Sequence, residues 1–170
     1  MKIRIAGTVS DSIVDGTGLR FTIFTQGCYH DCPSCHNPET HDPNGGKEMD
    51  TEDIVAEFKK NPLMSGITLS GGEPFLQAEA CLELAKAAHA IGKDVWAYSG
   101  YTLEKLRSIR DSHIHALLDE IDVLVDGRFR IEERSLELKF RGSKNQRIID
   151  MKKTGHGEAV LLKEEDNETD

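Results

Sequence analysis

The spacing of apolar residues divides the chain into two kinds of segment. In residues 2–9 and 19–25 apolar and polar positions alternate, and this period of two predicts strands. Beyond residue 49, stretches with apolar residues every three or four positions alternate with short apolar runs, which predict helices and buried strands respectively. The predicted helices are 50–60, 77–91 and 103–118, the last interrupted near Asp111 and Ser112. The predicted strands between and after them are 66–70, 94–99 and 122–125.

This order of elements predicts the fold class. Strands that alternate with helices of such length imply βαβ units, and therefore an α/β fold with a mainly parallel sheet. Residues 136–140 and 147–151 are expected to add strands at the end. We expect a single domain over residues 1–162, followed by an acidic, disordered tail at 163–170 that carries five acidic residues and one basic one.

One long segment, residues 26–49, fits neither period and is predicted to be a loop. A loop of this length inside a compact domain is usually functional or disordered. This one holds three of the four cysteines, Cys28, Cys32 and Cys35, and these favour a functional loop. The fourth, Cys81, falls on the apolar face of a predicted helix and is expected to be a buried thiol.

Charge and composition limit the possible binding partners and the cellular compartment. The 170 residues contain 21 basic and 30 acidic side chains, a net charge of −9, which disfavours direct binding of nucleic acids or acidic membranes. No apolar run reaches the length of a membrane span, and the N-terminal residues lack the pattern of a signal peptide. We therefore expect a cytoplasmic protein. In that reducing compartment clustered cysteines indicate metal binding rather than disulfides.

Three thiolates on one loop can converge on a metal centre. Cysteine is the ligand that zinc, copper(I) and iron–sulfur clusters select. A 4Fe-4S cluster normally takes four cysteines, so a set of three would leave one iron open to a small molecule. The alternative is a closed zinc site in which His30, His36 or His41 is the fourth ligand and the loop belongs to a non-catalytic interaction module.

The cysteine spacing C-x3-C-x2-C resembles the signature of the radical S-adenosylmethionine superfamily. The sequence Gly71-Gly72-Glu73-Pro74 follows a predicted strand, as does the superfamily motif that binds the methionine amino group. The alternating strands and helices are similar to its partial (β/α) barrel. The resemblance therefore implies a partial (β/α) barrel of the radical SAM type with a mainly parallel sheet.

Further motifs resemble one branch of this superfamily. The stretch from Val14 to Arg20, Val-Asp-Gly-Thr-Gly-Leu-Arg, and the sequence 36–40, His-Asn-Pro-Glu-Thr, resemble the glycyl-radical-activating branch. Residues 125–129, Val-Asp-Gly-Arg-Phe, and 141–147, Arg-Gly-Ser-Lys-Asn-Gln-Arg, look like motifs of the small activating proteins of anaerobic ribonucleotide reductases. We assign no role to Asn145, Gln146 and Arg147 from the sequence.

The resemblance implies two cofactors, a 4Fe-4S cluster and S-adenosylmethionine, and no separate catalytic acid, base or nucleophile. It makes Cys28, Cys32 and Cys35 the cluster ligands. It also implies a group of residues around S-adenosylmethionine, in which Ser34 replaces the usual aromatic residue next to the adenine and Asp126 is alternatively a cation site. That group is Ser34, Cys35, His36, Gly71, Gly72, Glu73, Ser99 and Asp126.

The implied activity is the formation of a glycyl radical on the large subunit of an anaerobic ribonucleoside-triphosphate reductase. The expected partners are that subunit, which Asp15 and Arg20 are predicted to face, and a one-electron donor such as flavodoxin or ferredoxin. A homodimer is left open. The alternatives are an activator of pyruvate formate-lyase or another glycyl radical enzyme, a small-molecule radical enzyme such as a deazaguanine-pathway synthase, and the zinc-stabilised module.

Overall fold

The computed structural model describes residues 1–27, 42, 44–135 and 138–162, which form one seven-stranded sheet flanked by helices. The strands are β1 (Lys2–Ser12), β2 (Arg20–Thr25), β3 (Lys47–Asp50), β4 (Gly66–Gly71), β5 (Asp94–Tyr98), β6 (Val123–Asp126) and β7 (Arg147–Asp150). The helices are α1 (Thr51–Lys59), α2 (Ala78–Ala90), α3 (Leu103–Ser108), α4 (Ser112–Glu120) and α5 (Met151–Thr154). Short 3-10 turns cover Pro74–Gln77 and Ile131–Glu133.

The sheet is mixed, with the strand order β3-β1-β2-β4-β5-β6-β7. Its centre, β2-β4-β5-β6, is parallel as predicted, whereas β1, β3 and β7 pair antiparallel with their neighbours. The expectation of a mainly parallel sheet therefore holds for the centre only. Among the described residues β3 and β7 form the two edges and do not pair with each other, so the sheet is open.

The helices α1 to α4 pack on one face of the sheet because each carries an apolar stripe, and side chains cap the starts of α1, α3 and α4. Asp50 caps α1 by accepting a hydrogen bond from the Glu52 N–H, and Ile54 and Phe58 of that helix are buried. In α2 the buried residues are mostly small, which brings the helix close to the strands. Every second strand residue, such as Ile67 in β4, faces this layer.

The opposite face of the sheet carries a second, smaller apolar cluster. Trp96, Val125 and Ile148 form its centre, and the ring of Phe140 packs edge-on against Trp96 at a centroid distance of 5.3 Å. None of the helices in the described ranges is long and apolar enough to cross a membrane.

Most predicted elements are confirmed, and the departures have local causes. The interruption predicted near Asp111 and Ser112 divides the helix expected over 103–118 into two helices: the chain extends at Ile109, and Asp111 starts α4 by accepting hydrogen bonds from the His113 and Ile114 N–H groups. Strand β3 lies in the predicted loop. Residues 138–140 form no strand, contrary to prediction, while 136, 137 and the predicted tail 163–170 lie outside the described residues.

Candidate functional site at the carboxyl edge of the sheet

The parallel strands β2, β4, β5 and β6 end side by side, and the motifs predicted to bind a ligand follow these ends. The Ser99 N–H donates to the Val125 carbonyl at 3.0 Å, and the Ser99 hydroxyl donates to the Glu73 carboxylate at 2.9 Å. Gly71, Glu73, Ser99 and Asp126 therefore lie along one edge of the sheet. Ligands of open α/β sheets bind at this carboxyl edge, where the chain leaves the strands.

Gly71 needs to be glycine on two separate grounds. Its φ is +105°, a backbone conformation that residues with a side chain rarely adopt. A Cβ built at Gly71 would also lie 2.3 Å from the backbone nitrogen of Thr25 and 2.5 Å from its carbonyl oxygen. The next residue, Gly72, donates its N–H to the same carbonyl at 2.9 Å. The two glycines thus allow the end of β4 to lie directly against the end of β2.

Glu73 is fully buried, and its carboxylate is a connector between two strand ends. One oxygen accepts the Gly100 N–H at 2.8 Å, and the other accepts the Ser99 hydroxyl at 2.9 Å and the Phe75 N–H at 3.3 Å. The hydrogen bonds compensate the cost of burying a charged group. Glu73 therefore fixes the segment that follows β5 against the segment that follows β4.

Asp126, at the end of β6, is 1% exposed and is held by three donors. The Arg147 guanidinium donates from Nε at 3.0 Å and from its second terminal nitrogen at 2.5 Å, and the Leu103 N–H donates at 2.8 Å. Arg147 also contacts Glu104 at 2.7 Å. Its hydrogen bonds to Asp126 raise the pKa of Arg147, with Glu104 adding to the effect, so the guanidinium stays charged. The cation next to Asp126 is thus a side chain of this protein.

The motif around Asn145 and Gln146 folds into a compact turn that is hydrogen-bonded to the residues after β6. The Gln146 side chain accepts the Gly142 N–H at 2.7 Å and donates to the Gly127 carbonyl at 3.0 Å. The Asn145 amide donates to the Arg128 carbonyl at 2.7 Å. Sequence reasoning gave this motif no role. The opposite charges of Asp126 and Arg147 were the available signal, but their direct pairing depends on the β6–β7 register, which the structure supplies.

The predicted cluster ligands Cys28, Cys32 and Cys35, with Ser34 and His36, lie outside the described residues. Both ends of their segment are nevertheless attached to the site. The Gly27 carbonyl accepts the Glu73 N–H at 2.7 Å. At the other end, the Gln26 amide donates to the Asp42 carbonyl at 2.8 Å. The residues that flank the cysteine segment therefore lie close together, and the residue at its start contacts the Gly71 motif.

Arg20 does not face a protein partner, and that expectation is wrong. Its side chain is 0% exposed and makes four hydrogen bonds, the shortest to Asp94 at 2.6 Å, and its guanidinium lies over the Trp96 ring at 5.6 Å. It starts β2 and therefore lies at the opposite end of the parallel strands from Gly71. A buried arginine with these partners holds the amino ends of three strands together.

Asp15 is half-buried and lines a cavity of about 530 Å³ beside the second apolar cluster. One wall is the β1–β2 loop with Ile13 and Val14, the other is the segment 138–142, and Tyr98 at the end of β5 lies between them. The Tyr98 hydroxyl donates to the Phe140 carbonyl at 2.5 Å, and Phe140 adopts a φ of +65°. No pattern in the sequence indicates this cavity.

The fourth cysteine behaves as predicted. Cys81 is 0% exposed in α2, and burial, assisted by the charge of Glu73, raises the pKa of its thiol to about 12. A neutral, enclosed thiol is a poor metal ligand and a poor nucleophile.

Known proteins are similar to this chain in sequence and in fold. A family model described as a 4Fe-4S single cluster domain matches residues 14–149. An anaerobic ribonucleoside-triphosphate reductase-activating protein of Vibrio cholerae is 39% identical over 145 residues, covering 80% of this chain and 90% of the relative. A protein of the same description from Salmonella typhimurium is 38% identical over 143 residues, covering 79% and 90%. The crystal structure of QueE from Escherichia coli superposes with a TM-score of 0.51 and 18% identity over 60% of this chain and 54% of that one, a likeness of fold.

Proposed function

The chain belongs to the family of anaerobic ribonucleoside-triphosphate reductase-activating proteins, and from this premise we propose that it generates a glycyl radical on the large subunit of such a reductase. Cys28, Cys32 and Cys35 would hold a 4Fe-4S cluster which, once reduced by an external one-electron donor, would supply the electron for cleaving S-adenosylmethionine and so for removing a hydrogen atom from the glycine α-carbon. The protein is then a radical SAM oxidoreductase whose substrate is another protein.

The observation that carries the proposal is the hydrogen bond between the Glu73 N–H and the Gly27 carbonyl. Gly27 directly precedes Cys28, so this bond attaches the start of the cysteine segment to the Gly71-Gly72-Glu73 motif. Soft thiolate ligands suit iron. A ligand of the open iron would therefore lie beside the strand ends, and the family model supports iron–sulfur over the zinc alternative.

The residues of the edge would bind and orient S-adenosylmethionine. Gly71 and Gly72 expose backbone without a side chain, which lets an amino-acid moiety approach closely. Glu73 and Asp126 keep the neighbouring segments in place, and Ser99 follows the next strand. Ser34 and His36 would contact the adenine. We assign the cluster to Cys28, Cys32 and Cys35.

The cavity beside Asp15 and Tyr98 is the place where we expect the partner's glycine-bearing loop to approach. Asp15 accepts hydrogen bonds from Ser12 at 2.8 Å and Thr22 at 3.2 Å, which fix its carboxylate at the cavity wall. We further propose that the sheet curves as a partial (β/α) barrel around this cavity. The electron would come from a flavodoxin or ferredoxin in the cytoplasm, and a homodimer is compatible with the open sheet edges.

The test is a reconstitution under anaerobic conditions. The protein is loaded with iron and sulfide, mixed with S-adenosylmethionine, a reductant and the large reductase subunit, and examined by electron paramagnetic resonance for a glycyl-radical doublet. Pyruvate formate-lyase serves as the alternative substrate. A doublet on the reductase alone is expected. A doublet on pyruvate formate-lyase alone would refute the assigned partner, and one tightly held zinc without a cluster signal would refute the chemistry.

Single cysteine variants provide the matched comparison. Cys28→Ala, Cys32→Ala and Cys35→Ala should each abolish the doublet, because a lost ligand cannot be replaced from the enclosed Cys81. Cys81→Ala removes a thiol from the same chain and should keep the doublet. A folded Cys81→Ala protein without the doublet would show that the ligand set is wrong.

A further inference from the structure

Two buried carboxylates hold the segment 99–103 from its two ends. Glu73 accepts hydrogen bonds from Ser99 and Gly100 at its start, and Asp126 accepts the Leu103 N–H at its end. The segment joins the end of β5 to α3, and it lies between the strand ends where we place S-adenosylmethionine. Its shape is therefore set by the positions of these two carboxylates.

The two ends differ in what stabilises the carboxylate. Asp126 is paired with the Arg147 guanidinium through two hydrogen bonds. This planar arrangement fixes the orientation of the carboxylate and also neutralises its charge. Arg147 starts β7, and its own position is fixed by the β6–β7 ladder and by Glu104 at the beginning of α3. An ion pair thus connects the last strand of the sheet to the segment 99–103.

We propose that Arg147 is a positioning residue for S-adenosylmethionine, which acts by neutralising Asp126 and so fixing the segment 99–103. The inference rests on the proposed function and extends it to a residue outside the group predicted to touch the cofactor. Without the guanidinium, Asp126 would be a buried, unpaired charge. The carboxylate would then turn toward water, and the Leu103 N–H would lose its acceptor.

The main variant is Arg147→Gln, and the chain offers a matched control in Arg107→Gln. Arg107 is also an arginine with two hydrogen bonds, but it lies on α3 and donates to the carbonyls of Gly155 and Gly157, away from the edge. A double variant, Asp126→Asn with Arg147→Gln, removes both charges while an amide oxygen remains to accept the Leu103 N–H.

Two measurements are made on each protein. Hydrogen exchange of the chain without cofactors compares the peptide covering 99–103 with the peptide covering α1. Calorimetry on the reconstituted protein gives the dissociation constant of S-adenosylmethionine. We expect Arg147→Gln to speed exchange in 99–103 but not in α1, and to raise the dissociation constant about 10- to 100-fold, the usual effect of losing a group that orients ligand-binding residues.

The double variant separates neutralisation of Asp126 from a general loss of stability. Because no unpaired charge remains, exchange in 99–103 should be slower than in Arg147→Gln, and S-adenosylmethionine should bind more tightly than it does to Arg147→Gln. Arg107→Gln should match the wild type in both measurements. If Arg147→Gln does not fold, exchange in the double variant carries the test: exchange in 99–103 as slow as in the wild type supports the inference, and faster exchange there with unchanged exchange in α1 overturns it.

Three results would overturn the inference: unchanged binding by folded Arg147→Gln, a double variant no better than the single one, or an equal loss in Arg107→Gln. They differ from a failure of the proposed function, in which the reconstituted wild-type protein itself binds no S-adenosylmethionine. Wild-type binding with unaffected variants would leave the proposed function intact and remove only the role of Arg147.

Discussion

Replacing Gly71 by alanine tests whether the contact between β4 and β2 builds the site. The methyl group would lie 2.3 Å from the Thr25 nitrogen, and both atoms belong to strands that pair along their length. Relief requires the two strand ends to separate, since neither neighbour is the tip of a flexible side chain. The same change at Gly92 is the control, because Gly92 also has a positive φ, +75°, but nothing lies within 4 Å of its added Cβ.

The expected losses of unfolding free energy follow from the backbone conformation, which the two variants share, and from the close contact, which only Gly71→Ala has. A left-handed conformation costs a residue with a side chain about 1–2 kcal/mol, and both variants carry that cost. Overpacking against fixed atoms adds about 1–3 kcal/mol at Gly71 only. Gly71→Ala should therefore lower the free energy of unfolding by about 2–5 kcal/mol and Gly92→Ala by about 1–2 kcal/mol, out of a total of about 5–15 kcal/mol for a domain of this kind.

The assay is urea denaturation followed by circular dichroism, with S-adenosylmethionine binding measured on the reconstituted proteins. Gly71→Ala should lose both stability and binding, whereas Gly92→Ala should keep binding. Equal losses of unfolding free energy in the two variants would refute the argument from close approach. Normal binding by a destabilised Gly71→Ala protein would show that the edge tolerates separation of the strands.

Three further predictions concern charged groups. Although burial opposes protonation, the hydrogen bonds that the His89 ring donates to Asp122 and Glu120 outweigh it and raise the pKa of His89 above 6.5. The stabilisation from His89 is therefore complete below pH 6.5 and declines as the pH rises through the folded pKa. Unfolding of His89→Gln should lack this pH dependence, and an identical dependence would contradict it. Arg20→Leu should cost about 1–3 kcal/mol of stability, mainly because the Thr68 hydroxyl and the Ile67 carbonyl lose their donor, while the 42% exposed Asp94 can turn to water. Thermal melting measures the loss, and an unchanged melting temperature would contradict it. Glu73→Gln should weaken S-adenosylmethionine binding in calorimetry, because an amide has one acceptor oxygen for the donors of Ser99 and Gly100; unchanged affinity would argue against it.

The sequence predicted the parts of the fold whose pattern is local. The apolar periods of α1 and α2 and the runs of β4 to β6 identify these elements, because burial on one face forces such spacing. Strand β3 was missed because the segment Lys47–Asp50 is mostly polar. It becomes a strand by pairing with β1, which lies more than forty residues away in the chain. The break between α3 and α4 was anticipated from Asp111, a residue that favours helix starts.

The site was predicted as a set of residue types but not as a set of contacts. Motif spacing placed Gly71, Glu73 and Asp126 at strand ends, which the topology then brings together. It could not show that Arg147 pairs with Asp126, since this depends on the β6–β7 register, nor that Arg20 is buried. An arginine at the start of a strand is usually solvated, and only the tertiary partners of Arg20 reverse that expectation.

The attachment of both ends of the cysteine segment has a consequence for how a metal centre is loaded. Gln26 ties the chain before Cys28 to Asp42, so the fold itself holds the residues that flank the segment close together. Folding then meets part of the entropic cost of bringing the three thiols to one metal centre, because the ends of the segment already lie near each other. In zinc fingers, by contrast, metal binding supplies the free energy of folding. Here an apolar core stabilises the sheet without a metal ligand. Binding or loss of the cofactor at the cysteine segment should therefore leave the protein folded.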